Sequence, residues 1–149
     1  MISLNENYIA EFLSYLELDL NYSNNTIVSY ESDLAKLVSY YPKKDLLHLS
    51  IKEIENYIHT LEGLTPASIS HAISTFKSFY KYYLRIGSIS YNPCDAIKMP
   101  KLGTHLPVYL TEEEVTLLLD IEINTPFDAR NKAILELMYA TGLRISEII

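Results

Sequence analysis

The side chains best suited to chemistry gather in one stretch of this 149-residue chain. Ser70, Ser74, Lys77, Ser78, Lys81 and Arg85 recur at i, i+4, i+7, i+8, i+11 and i+15, which places them on one side of any helix that carries them. A small, hydroxylated, basic face can lie against a phosphate backbone or enter a major groove. Small residues allow close approach, and Lys and Arg neutralise phosphates. A solvated helix face without Glu would show the same pattern, so charge distribution bears on the choice. The net charge of -7 argues on average against a polyanionic partner. The average hides a contrast: residues 65–105 hold five Lys or Arg against one Asp, residues 1–64 four against ten acids, and residues 106–149 three against eight. No acid stands between Glu62 and Asp95, and Lys98, Lys101 and His105 extend the basic run. A basic segment inside an acidic chain favours nucleic acid as its partner.

Other chemistry finds less support. His48, His59, His71 and His105 show neither i, i+4 spacing nor the carboxylate neighbours of a metal site. There is no glycine-rich phosphate loop. Cys94 is the single cysteine; with no motif around it, it reads as inert and fits a reducing compartment. The thirteen tyrosines fall mainly on helical stripes where their rings would pack. Glu112, Glu113 and Glu114 complement the positive end of a helix rather than forming a carboxylate site. Arg144 stands where a helix begins after Thr141-Gly142, with Glu147 at i+3; from the residues alone this is a surface or core-paired arginine with Glu147 as its partner.

These residues need helices to position them, and the periodicity supplies helices with no convincing strand. Ile9, Phe12, Leu13, Leu16 and Leu20 form a first stripe. A second helix runs over 23–41 with Ile27, Tyr30, Leu34, Leu37, Val38 and Tyr41 inward, ending at Pro42. Ser50 and Glu53 form a capping box for a short third helix whose Ile54, Tyr57, Ile58 and Leu61 face inward. Thr65-Pro66 opens a long fourth helix ending at Gly87, with Ile69, Ile73, Phe76, Tyr80 and Tyr83 as its buried stripe. Four amphipathic helices with short connections predict a compact bundle. From 88 to 108 the chain carries Pro93, Pro100, Pro107 and Gly103, with one helical turn after Asn92-Pro93, and reads as a strap. A second capping box at Thr111 and Glu114 opens a helix through Leu119. A further helix puts Ala129, Ala133, Ile134, Leu137 and Met138 on one face, and a last one begins at Leu143 or Arg144 and is cut short, leaving Ile145, Ile148 and Ile149 without partners. A domain that ends this way reads as truncated.

Composition agrees with a folded, mainly helical chain: 48% hydrophobic and 21% charged residues exclude collagenous, coiled-coil and disordered classes. No apolar stretch approaches the roughly 18 residues of a membrane helix, and the start lacks the basic residues of a signal peptide. A soluble, cytoplasmic protein without a membrane role is expected.

Thr141-Gly142-Leu143-Arg144-Ile145-Ser146-Glu147, preceded by residues 129–140, resembles the first conserved box of the tyrosine recombinases, the phage-integrase family. Residues 23–34, Phe79-Tyr80-Lys81-Tyr82-Tyr83, Asn92-Pro93 through Pro100-Lys101, and Leu106-Pro107 before Leu110-Thr111 are similar to the family's core-binding domain and interdomain strap. The likeness covers nearly the whole chain and is strongest to the Xer-type recombinases of bacterial chromosomes. It implies a SAM-like core-binding four-helix bundle over 1–91, a strap over 92–108, and the first helices of a catalytic domain over 109–149. It also implies cleavage of DNA strands through a 3'-phosphotyrosine intermediate, in a homo- or hetero-tetramer with a related recombinase on paired duplex sites, with no cofactor. Of the family's catalytic set only the first arginine maps here, at Arg144, with Glu147 at the supporting acidic position, so this chain alone is expected to be inactive. The DNA-contacting residues expected are Asn25, Thr26, Ser70, Ser74, Lys77, Ser78, Lys81, Arg85, Lys98 and Lys101. The alternative is a stand-alone helical adaptor that binds DNA or protein without cleaving it.

Overall fold

Helices in this molecule begin where the sequence supplies an N-cap. In the computed structural model, which describes residues 3–101, 103 and 108–148, Ser3 and Glu6 form a capping box for α1 (Leu4–Leu18), and Ser23 caps α2 (Asn24–Tyr40). Ser50 and Glu53 do the same for α3 (Ile51–His59), and Thr65 with Pro66 opens α4 (Pro66–Arg85). Each box satisfies amides that the first turn would leave without acceptors. His105, Leu106-Pro107 and Ile149 lie outside the described residues. The chain divides into two compact units, Met1–Gly103 and Thr104–Ile149.

In the first unit α4 is the central element. Phe12 of α1 meets Phe79 edge-on at 5.4 Å between ring centroids, and Tyr57 of α3 meets Phe76 at 5.8 Å. The Thr75 hydroxyl donates to Asp33 of α2 at 3.3 Å. Contact on several sides explains why α4 buries more than one stripe. Ile73, Phe76, Tyr80 and Tyr83 are buried as the spacing predicts; Ala72, Thr75 and Phe79 are buried as well, and Ile69 is only half-buried. Leu20, assigned to the α1 stripe, is 43% exposed because α1 has already ended.

The sequence pattern does not reveal the 3₁₀ turn Leu46–His48, whose Leu46 and Leu47 enter the core with Leu49. Three residues are too few to show a period. Its placement depends on distant side chains: Asn5 donates to the Lys44 carbonyl at 2.8 Å and accepts from the Leu46 amide at 2.9 Å, and the Tyr80 hydroxyl donates to the Leu46 carbonyl at 2.7 Å. The stretch read as a strap begins with residues that this unit buries, namely Asn92, Cys94 and Ile97.

The second unit contains α5 (Glu112–Leu119), α6 (Pro126–Thr141) and the single turn α7 (Ile145–Ile148). Thr111 with Glu114, and Thr125 with Asp128, form capping boxes for α5 and α6. Gly142 ends α6 at φ 69°, a left-handed conformation that favours glycine. Among the described residues no side chain of these helices is buried. The face predicted from Ala129, Ala133 and Leu137 is exposed, while Ile134 and Met138 are half-buried. Described residues form helices and turns with no strand, and no helix among them is long and apolar enough to cross a membrane.

Candidate nucleic-acid interface

The small and basic residues of α4 divide by depth. Ser70, Ser74, Lys77 and Ser78 are half-buried, whereas Lys81 and Arg85 are exposed near the end of the helix. Ser74 bonds back to the Ser70 carbonyl at 2.9 Å, and the Ser70 hydroxyl is buried without a hydrogen-bond partner. Among the described residues Lys81 and Arg85 meet no carboxylate. Arg85 is nonetheless held in place. Its guanidinium lies 4.4 Å from the Tyr15 ring centroid and 6.0 Å from that of Tyr82, and the Tyr82 hydroxyl donates to Glu11 at 3.0 Å. A guanidinium stacked on an aromatic face keeps its edge N–H groups available for a fork to phosphate.

The first turns of α2 come beside α4 through one bond: Ser29 Oγ and His71 Nε2 are 2.8 Å apart. His71 also packs edge-on against Tyr30 at 5.7 Å and lies 3.7 Å from Asp33. Asn25 is exposed and Thr26 half-buried at the start of α2, with the Thr26 hydroxyl 2.9 Å from that of Ser23. A helix start presents amides and a partial positive charge to an anion. The structure thus links α2 to α4 through Ser29 and His71, with Asn25 and Thr26 about one turn before Ser29 on α2. The contact between Ser29 and His71 leaves no local signal in the sequence, because the two residues stand 42 apart. Lys98 and Lys101 are exposed in the segment after Ile97.

Cys94 is fully buried, and burial pushes its thiol up to about 12, so it stays protonated and unreactive at neutral pH. Tyr80 and Tyr83 also have strongly raised values, chiefly from burial, and donate to backbone carbonyls of Leu46 and Tyr8. These groups hold the core together. Among the described residues no cluster of three or more His, Cys, Asp or Glu side chains is arranged to hold a metal.

Arg144 belongs to the second unit. Glu147 accepts from the Arg144 amide at 2.7 Å and from its guanidinium at 3.4 Å, so one carboxylate both caps the turn and orients the arginine. The arginine side chain is 82% exposed, leaving most of its fork open to an anion.

The chain is similar to known proteins along most of its length. Residues 9–87 match the phage integrase N-terminal SAM-like domain, and residues 108–149 match the phage integrase family. The tyrosine recombinase XerD of Oceanobacillus iheyensis is 37% identical over 95% of this chain and 50% of its own length. The tyrosine recombinase XerC of Lacticaseibacillus casei is 35% identical over 93% of this chain and 49% of its own. The crystal structure of XerA recombinase is similar with a TM-score of 0.51 and 27% identity, covering 96% of this chain and 48% of that one. The chain spans about half the length of the curated relatives it matches.

Proposed function

The chain belongs to the phage integrase family, and on that premise we propose that it is the DNA-binding N-terminal portion of a site-specific tyrosine recombinase, which cuts and rejoins strands through a 3'-phosphotyrosine intermediate. The supporting observation is that both family matches fall in order along one chain, with Arg144 and Glu147 inside the second. The first unit docks on duplex DNA through the start of α2 and the exposed part of the α4 stripe, with Lys98 and Lys101 extending the contact. The intact protein works in the cytoplasm as a tetramer with itself or a related recombinase on paired sites.

Arg144 supplies the chemistry carried by this chain. Strand cleavage builds negative charge on the non-bridging oxygens of the scissile phosphate. A guanidinium can hold two of them in a fork and stays charged throughout. Glu147 is a positioning residue that fixes the fork. Such an interaction is stronger in the transition state than in the ground state, so it accelerates cleavage more than it tightens binding.

The test separates these effects. In a full-length recombinase carrying this chain, Arg144→Ala should lower strand cleavage by at least about 10²–10³-fold, while site binding, spread over many phosphate contacts, changes by about tenfold or less. Arg144→Lys should rescue poorly, since an ammonium lacks the two-pronged geometry. Cleavage at the parent's rate by Arg144→Ala would contradict the proposal. The 149-residue chain itself should form no covalent adduct with a nicked suicide duplex, and an adduct on any of its tyrosines would overturn the assignment.

A further inference from the structure

Lys77 lies on the stripe that the sequence assigns to phosphate contact, yet its ammonium is engaged within the protein. Lys77 Nζ donates to the Ile97 carbonyl at 2.9 Å, and the Lys77 backbone carbonyl accepts from Asn92 Nδ2 at 3.3 Å. One residue of α4 therefore touches both ends of the short turn over residues 92–97. The turn is built to be held this way. Asn92 Oδ1 accepts from the Cys94 amide at 2.9 Å, a side-chain turn that starts the segment. The Ile97 amide returns to the Cys94 carbonyl at 3.1 Å. At the far end the part-buried carbonyl of Ile97 receives a cation, the arrangement that suits the end of a helical turn. Cys94 and Ile97 are buried between these two grips, 0% and 7% exposed. Lys81, one turn further along α4, is exposed and makes no such contact among the described residues.

We propose that Lys77 is a positioning residue, which anchors the turn over residues 92–97 and so fixes where the chain leaves the first unit, rather than a ligand of DNA phosphate. The second half of this assignment rests on the DNA-binding reading above; the anchor does not. Two readouts on the 149-residue chain separate them: amide exchange at Cys94 and Ile97 with tryptic cleavage after Lys98, and the salt dependence of duplex binding. Lys77→Gln should speed exchange and cleavage by about tenfold or more while leaving the slope of log K against log salt unchanged. Lys77→Arg, which can still reach the Ile97 carbonyl with a charged donor, should restore protection. Asn92→Ala should loosen the same amides without altering the charge. Lys81→Gln should do the reverse, leaving protection intact and reducing the slope by about 0.9, the value for one phosphate contact. A Lys77→Gln chain that keeps its protection and loses slope as Lys81→Gln does would overturn the proposal. If the parent binds no DNA, the functional reading fails, and exchange alone upholds or overturns the anchor.

Discussion

Helices α4 and α6 begin alike, each with a threonine N-cap followed by proline, but they reach different ends. α4 buries seven side chains among α1, α2, α3 and the 3₁₀ turn, whereas α6 buries none among the described residues. Caps and turn residues specify where a helix starts and stops. What the helix packs against is set by residues far away in sequence, and most helical stability in a folded protein comes from that packing. The first unit thus owes its stability to a closed aromatic and aliphatic core. The second relies on its capping boxes and on partly exposed apolar contacts.

The strongest way to break this contrast is in the core. Phe79→Ala should destabilise the first unit by about 3–5 kcal/mol, because Phe79 is fully buried and touches the rings of Phe12, Tyr80 and Tyr83. Leu137→Ala on α6, at a side chain 45% exposed, should change stability by about 0.5 kcal/mol or less. Urea unfolding followed separately by amide exchange in each unit checks both.

A smaller effect comes from the caps. Thr65→Ala and Thr125→Ala should each cost about 1 kcal/mol locally. Only Thr125→Ala should visibly unravel its helix, because α6 lacks the buried side that holds α4. Exchange at the Asp128 amide, which Thr125 accepts at 3.3 Å, reports the loss.

The smallest effect is in acid. Lys44 beside Glu53, together with bonds from Ser50, holds the Glu53 carboxyl down at about 2, against its ordinary 4.5. A carboxyl depressed in the folded state adds stability that is fully present above its unfolded value and is lost as pH falls through its folded value. Stability of the first unit should therefore decline from about pH 4.5 down to about pH 2 through this group, and Glu53→Gln should flatten that part of the urea-midpoint profile. Thr111 and Thr125 likewise lower Glu114 and Asp128 through their capping bonds. Acid should consequently loosen α5 and α6 without a core to compensate.

Much of this was legible in the chain. The capping residues Ser50, Thr65 and Thr111 place three helix starts, and the 3.6-residue stripes identify Phe12, Leu34, Leu37, Ile54, Phe76 and Tyr80 as core. Burial of Asn5, the 3₁₀ turn and the seating of Cys94 and Ile97 were not legible, since each depends on a hydrogen bond to a distant residue. The candidate interface divides in the same way. Spacing alone collects Ser70 to Arg85 on one face, but only the fold shows that Lys77 faces a backbone carbonyl, that Arg85 stacks on Tyr15, and that Ser29 and His71 join α2 to α4.

Duplex binding by the 149-residue chain, measured against salt, shows whether the exposed end of α4 meets DNA. Binding should be weak and fall steeply as salt rises, with the Lys81→Gln, Arg85→Gln double variant losing about 1.8 from the slope of log K against log salt. Lys52→Gln, on the exposed side of α3, should leave the slope unchanged. A double variant that binds with the parent's slope, or a Lys52→Gln chain that loses as much, would show that the exposed end of α4 is a solvated face and not the surface that meets DNA.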